Sequence, residues 1–264
     1  MRSSSKSSSS SKSGSGSTKV EKKRLDVLIV ERGLAPTRQR AQALLLAGSV
    51  LVDGQRAAKA GTSVSVDVEI RVTGGTLRYA SRGGLKLEGA LEDFGVSPAG
   101  RICLDAGSST GGFTDCVLQH GAAKVFAVDV NIAQLDWKLQ RDERVIAIEG
   151  NARYLRPEQI TEAATLVTAD LSFISVGKVL PALVAATAPD ADFVILIKPQ
   201  FELERGMVGK GGIVRDTALH NRAIESVKAA AAKNGLTGLG VAQSRITGAD
   251  GNVEFFLHAR NSGV

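Results

Sequence analysis

Two cysteines, three histidines and one tryptophan are all that the 264 residues contain of those types, and long apolar runs are missing altogether. Cys103 and Cys116 show no C-x-x-C spacing, so both read as reduced core residues and a disulfide framework is excluded. His120, His220 and His258 are scattered without ligand-type neighbours, so no metal is expected. Apolar runs such as residues 27–30 and 193–197 fall far short of the roughly 20 residues a membrane helix needs. No membrane partner is expected, and the first residues lack the apolar core of a secretory signal.

Acidic charge is what the front of the chain has little of. Residues 1–100 carry 16 Lys and Arg against 9 Asp and Glu, whereas residues 101–264 carry 17 against 18. The whole positive excess is therefore N-terminal, and a neutral body behind a basic front points to a polyanionic partner, most simply nucleic acid. Residues 1–19 hold Ser, Lys and Gly with no acidic residue and almost nothing apolar, too little to bury. Residues 1–21 are read as a disordered tail, with an organellar transit peptide as the alternative.

The rest is organised around Leu104-Asp105-Ala106-Gly107-Ser108-Ser109-Thr110-Gly111-Gly112-Phe113-Thr114, where a short apolar strand meets an acidic residue and a glycine-rich turn opening a helix. Glycines let backbone N–H groups approach a ligand that a side chain would hold away, so the stretch reads as a cofactor cradle. The spacing of Gly107, Gly111 and Gly112 fits a dinucleotide fingerprint poorly. An acidic residue here suits a cationic or amino-bearing ligand, and D-x-G-x-x-x-G resembles the first motif of S-adenosylmethionine (SAM)-dependent methyltransferases. A tight strand-to-helix turn without ligand is the alternative. The cradle candidates are Asp105, Gly107, Ser109, Thr110, Gly111, Gly112 and Phe113.

Ahead of it, Leu25, Leu28 and Ile29 share a helical face that Gly33 ends, and a second helix is expected over 37–47. A strand at 50–52, the turn Asp53-Gly54 and a strand-rich stretch over 64–72 complete a compact basic module. Its ordered motifs, Arg24-Leu25-Asp26, Gly33-Leu34, Thr37-Arg38 and Gly48-Ser49-Val50-Leu51-Val52-Asp53-Gly54, resemble the S4-type RNA-binding domain. Arg24, Arg32, Arg38 and Arg40, with Arg82 further on, are the candidate RNA contacts. The division expected is 22–73 for this domain, 74–84 for a linker and 85–264 for the large domain.

The large domain should open with a helix over 85–94, followed by strands over 102–105, 125–130, 145–149, 166–170 and 193–198 with helical patterns between them. That alternation gives an α/β fold with a parallel sheet covered on both faces. After a helix over 217–234 come strands over 239–244 and 253–259, whose connection is too short for a crossover, so the last strand should run antiparallel. The seven-stranded pattern resembles the class I SAM-methyltransferase (Rossmann-like) fold. Ligands of such sheets sit beyond the strands' carboxyl ends, where Asp129 and Val130 would meet the ribose, Asn151 and Ala152 the adenine, and Asp170, Lys198 and Glu254 converge. A salt-bridge network without catalytic role is the alternative for those three charges.

Lys86 in SRGGLKL, Asp170 in ADLSFIS, Lys198 in IKPQFE and Glu254 in GNVEFF match the Lys-Asp-Lys-Glu tetrad of FtsJ-like ribose 2′-O-methyltransferases. Together with the front module, the chain resembles the hemolysin-A (TlyA-type) rRNA methyltransferase family over residues 22–260. The resemblance implies SAM as cofactor and methylation of the 2′-hydroxyl of a cytidine in rRNA. Within it, Lys198 is expected to be the base, helped to shed its proton by the Lys86 cation; Asp170 orients it and faces SAM, and Glu254 and Lys86 position the hydroxyl. The end of the chain soon after its last strand implies the family's narrower type, acting on rRNA of the large subunit. A cytoplasmic enzyme, monomeric when free, is the expectation; a membrane-damaging hemolysin-like protein and a non-catalytic RNA-binding protein are the alternatives. The glycine-rich segment 206–216 reads as a lid or a plain surface loop, and Trp137 as a core residue in preference to a base-stacking platform.

Overall fold

The computed structural model describes residues 21–35, 37–46, 48–57, 61–72, 78–248 and 251–263. The expected disordered tail, apart from Glu21, and the glycine pair at 74–75 lie outside the described residues.

In the small domain, α1 (Leu25–Glu31) and α2 (Arg38–Leu46) close over Leu25, Leu28, Ile29, Ala41, Leu45 and Val50. A three-stranded sheet β3-β2-β5, from β2 (Val50–Val52), β3 (Gln55–Arg56) and β5 (Ile70–Val72), supports the helix pair. A further strand, β1 (Lys22–Arg24), pairs antiparallel with β4 (Ser63–Ser65). It is invisible in the sequence, because three basic residues have no alternation and their pairing partner lies about 40 positions on. Asp26 is fully buried, and its carboxylate accepts from Arg24 (2.9 Å), Arg38 (3.0 Å) and Gln42 (2.8 Å). The Arg24 hydrogen bond leads in holding this carboxyl well below its ordinary range.

The large domain begins with α3 (Arg82–Phe94), three residues ahead of the expected start, with Ser81 capping it by accepting from Gly83 N–H at 3.2 Å. The strands follow as β6 (Ile102–Ala106), β7 (Lys124–Asp129), β8 (Val145–Glu149), β9 (Ala164–Ala169), β10 (Thr187–Ile197), β11 (Leu236–Gln243) and β12 (Phe255–Asn261). They form one sheet of order β11-β12-β10-β9-β6-β7-β8, with β12 antiparallel to both neighbours. Helices α4 (Gly112–Gln119), α5 (Trp137–Gln140), α6 (Leu180–Ala185), α7 (Pro199–Glu202) and α8 (Thr217–Lys233) connect or cover them.

Successive strand residues feed two separate cores. Leu104, Phe126, Val167 and Ile195 pack under α6 and α8, while their neighbours Cys103, Val125, Leu166 and Val194 pack under α3 and α4. Both faces are dry, which is why these strands read as continuous apolar runs rather than alternating ones. Chain order reverses between β6 and β9, the switch point where such sheets open a crevice at their carboxyl ends.

The opposite end of the sheet is locked by Asp192, whose carboxylate receives Arg101 (2.8 Å), His258 (2.9 Å) and Arg260 (3.1 Å). Although burial opposes ionisation, these hydrogen bonds leave its carboxyl below the ordinary value. Asp192→Ala strands these cationic and polar partners and should cost about 3–5 kcal/mol in urea unfolding. A loss below about 1 kcal/mol would mean that the cluster does not hold this end of the sheet.

Candidate active site

At the end of β6 the chain turns through Gly107 (φ 85°), whose N–H, with that of Ser108, donates to the Val128 carbonyl at 2.8 and 3.1 Å. A Cβ on Gly107 would overlap the main-chain carbonyl of Asp170, so only glycine lets this turn touch the exit of β9. Gly111 and Gly112 do something else. A methyl on the first would enter Leu139 and on the second Ser81, so these glycines seat the start of α4 against α5 and α3. Gly111 thus serves packing, whereas Gly107, Ser109, Thr110, Gly112 and Phe113 line a cavity of about 360 Å³ together with Arg82, Lys86, Asp170 and Ser172.

Asp105 departs from the expected placement. Fully buried, it accepts from the hydroxyls of Thr114 (2.6 Å) and Thr168 (3.1 Å), joining β6, α4 and β9 beneath the turn, and presents no surface to a ligand. Burial pushes its carboxyl up to about 7. An acid whose folded value is raised keeps its proton where the unfolded chain has lost it, so Asp105 lowers stability as pH climbs from about 4 to 7. Asp105→Asn should flatten that part of the stability–pH curve; an unchanged slope in thermal melts would show that the carboxyl ionises normally.

Asp129, ending β7, accepts from the N–H groups of Ser109 (3.0 Å) and Asn131 (2.9 Å), which fixes the carboxylate beside the turn. It lines a groove of about 1110 Å³ that also takes in Val130, Asn151, Ala152, Asp170 and Phe201. Asn151 spends its side-chain oxygen on the Arg153 N–H at 3.0 Å, leaving its amide hydrogens for the groove. Gly107, Ser109, Asp170 and Ser172 line both the groove and the smaller cavity, so the two meet at the turn.

The four expected charges form two ion pairs. Lys86 Nζ on α3 lies 2.5 Å from Glu254 Oε2, which stands just before β12 and is only 3% exposed. Lys198 Nζ, at the exit of β10, lies 2.5 Å from Asp170 Oδ1 and donates to Ser172 Oγ at 2.9 Å. Each lysine thus has its own carboxylate. Gly248 leaves room for Glu254, since a Cβ there would stand 2.6 Å from Oε1.

Phe173 and Glu202 stand beside these pairs without having been marked by the sequence pattern. Phe173, in the same string as Asp170, is 91% exposed, has φ 65°, and packs on Phe201 with ring centroids 5.0 Å apart. A non-glycine residue keeps such a backbone only when its surroundings hold it. Glu202 supplies part of that hold, accepting from Ser175 Oγ (2.6 Å) and Val176 N–H (2.9 Å) and so tying the loop after β9 to the turn after β10. Burial pushes its carboxyl up.

The candidate RNA contacts are largely engaged within the protein. Arg24 and Arg38 flank Asp26 with about half of each side chain exposed, Arg32 donates to the carbonyls of Val66 and Val68, and Arg40 crosses to Asp136 at 3.2 Å. Arg82 lines the cavity beside Lys86. The segment expected as a lid is partly tethered: Asn252 accepts from Val214 N–H and donates to the Gly212 carbonyl, both at 2.9 Å. Trp137 is not a core residue; at 57% exposed it stands on the surface, because Leu135 and Leu139 occupy the inward positions of its segment. Among the described residues no cluster could hold a metal, and no helix is long and apolar enough to cross a membrane.

Two protein families match the chain. The FtsJ-like methyltransferase family matches residues 79–261 and the S4 domain family residues 23–70. A Mycobacterium tuberculosis protein described as a 16S/23S rRNA (cytidine-2′-O)-methyltransferase, TlyA, is 49% identical over 90% of this chain and 89% of its own length. A Campylobacter jejuni protein described as a 23S rRNA (cytidine-2′-O)-methyltransferase is 35% identical over 68% of this chain and 70% of its own. A solved Streptococcus thermophilus structure, described as a presumed hemolysin, superposes with a TM-score of 0.72 at 42% identity, covering 92% of this chain and 90% of that one.

Proposed function

The chain belongs to the FtsJ-like methyltransferase family and carries an S4 domain in front of it, and from that premise we propose that it methylates the ribose 2′-hydroxyl of a cytidine in rRNA. The observation that carries the reading is the pairing of Lys198 with Asp170 at the wall shared by the two cavities. SAM is the methyl donor of this family, and the residues present fit it: the groove has the volume for a nucleoside, Asp129 stands beside the turn, and Gly107 keeps the turn clear of a side chain. Asp129 would hold the ribose hydroxyls, Asn151 the adenine edge with Val130 and Ala152 beside it, and Gly107, Ser109, Thr110 and Asp170 the methionine end.

When bound, SAM supplies a methyl group made electrophilic by its sulfonium. A ribose hydroxyl is a weak nucleophile, so the protein has to hold it in line and take its proton. Lys198 is the residue that would take that proton at Nζ. The resulting ammonium is matched by Asp170 Oδ1 and Ser172 Oγ, so charge appears where partners are already in place. Lys86, which lines the smaller cavity and is paired with buried Glu254, would orient the ribose. Phe173 offers its exposed ring to a base swung out of its stack, which brings the ribose within reach of Lys198.

Large-subunit rRNA is the substrate we place first, since both named relatives are described as acting on 23S rRNA. Cradle and tetrad come from a single chain, which supports a monomer, and an rRNA substrate is in keeping with work in the cytoplasm. Arg24, Arg38 and Arg82 keep guanidinium surface for phosphates, with Arg32 and Arg40 acting mainly in holding the small domain's shape and place. The test is to incubate the protein with labelled SAM and unmodified large or small ribosomal subunits, then map the label. Label on a cytidine 2′-oxygen of the large subunit is expected; label on a base, or none on either subunit, overturns the reading.

A further inference from the structure

The interdomain cleft touches the cradle at Thr110 but is lined by none of the tetrad residues. It encloses about 500 Å³ between α2 of the small domain and residues 131–140 of the large one. Two large apolar side chains stand exposed at it, Trp137 at 57% and Leu46 at 73%. The surroundings of Trp137 are basic. The Arg141 guanidinium lies 5.3 Å from the ring centroid, and Lys138 follows in sequence. Asp136, the acidic residue alongside, is matched by Arg40 at 3.2 Å and spends its other oxygen on the Lys138 N–H at 3.0 Å. The amides of Gln39 and Gln134 add donors and acceptors to the lining.

We propose that Trp137 and this cleft form a binding surface for single-stranded RNA flanking the target nucleotide, with a base stacked on the indole and the backbone drawn along α2. The inference rests on the rRNA reading above. An exposed aromatic ring among cations and amides matches a nucleotide, which has a flat apolar face, polar edges and a negative backbone. A membrane or a protein core would call for a broad contiguous apolar patch, and here two apolar side chains are ringed by polar groups. Position supports the same occupant. Ala43, Leu46 and Thr110 line both the cleft and the cavity that holds Lys86 and Asp170, so RNA lying along the cleft leads into the reaction site. Swinging a nucleotide out for ribose chemistry also exposes the faces of its neighbours, and an aromatic platform replaces the stacking they lose.

Trp137 is the sole tryptophan of the chain, so tryptophan emission reports on this ring alone. Adding a short RNA hairpin with an unpaired loop should quench it saturably, whereas a fully paired duplex should not. Trp137→Ala should weaken binding of the labelled hairpin, read by anisotropy, about tenfold or more, with SAM affinity and melting temperature unchanged. Trp137→Phe, which keeps a ring, should recover most of that loss. Emission unmoved by bound hairpin, equal affinity of Trp137→Ala, or an indole already screened from acrylamide in the free protein would each overturn the proposal. Methyl transfer to subunits with any of those results overturns this inference alone, while a protein that neither binds the hairpin nor modifies either subunit overturns the rRNA reading as well.

Discussion

Lys198→Ala is expected to lower methyl transfer to rRNA by roughly 10²–10⁴-fold, the usual contribution of a positioned proton acceptor, with SAM binding by calorimetry little changed. The informative companion is Lys198→Arg. Arginine keeps the positive charge, and thus the match to Asp170, but its guanidinium does not give up a proton in proteins. If Lys198 serves as base, the arginine variant is as inactive as the alanine one. If Lys198 serves only to place a cation beside Asp170 and Ser172, arginine restores a large part of the rate. Single-turnover measurement with saturating SAM separates these outcomes from any effect on binding, and an active Lys198→Arg would remove the base assignment.

Gly107→Ala should be as damaging by another route. The left-handed backbone at this position costs a residue with a Cβ roughly 1–2 kcal/mol, and the added methyl would also press into the Asp170 carbonyl. Relief requires the turn to move away from β9 by enough to misplace Asp170 relative to Lys198. We expect about 2–4 kcal/mol lost in stability and SAM binding too weak to detect in a calorimeter, whereas Gly100→Ala, at a left-handed glycine whose Cβ would meet nothing, should show the backbone cost alone. Equal behaviour of the two variants would mean that the close approach to Asp170 does not matter.

Much of this fold was legible because the strands are buried on both faces, so each is a plain apolar run between turns, and because a short last connection forces antiparallel pairing. Lys86, Asp170, Lys198 and Glu254 were legible as charges at strand exits and beside the cradle, but their division into two pairs was not, since pairing depends on how α3 packs. The start of α3 was hidden by Gly83 and Gly84, which look like linker residues. A Cβ on Gly84 would enter the buried Tyr79 ring, so that glycine permits close packing rather than chain freedom. Asp105 was misplaced for a related reason: a carboxylate at a strand end can face up into a crevice or down into the sheet, and Thr114 and Thr168 decide it. Trp137 was misjudged because a four-residue helix gives no periodicity from which to infer which side faces in.

Arg40 and Asp136 make the one ion pair that joins the two domains among the described residues, and neither side chain is fully shielded from water. Ionic strength therefore acts on this protein in two places. Added salt weakens the attraction of arginines for RNA phosphates through counterion release, and the same ions screen the attraction that sets one domain against the other. The dependence of activity on salt should accordingly be steeper than phosphate contacts alone would make it.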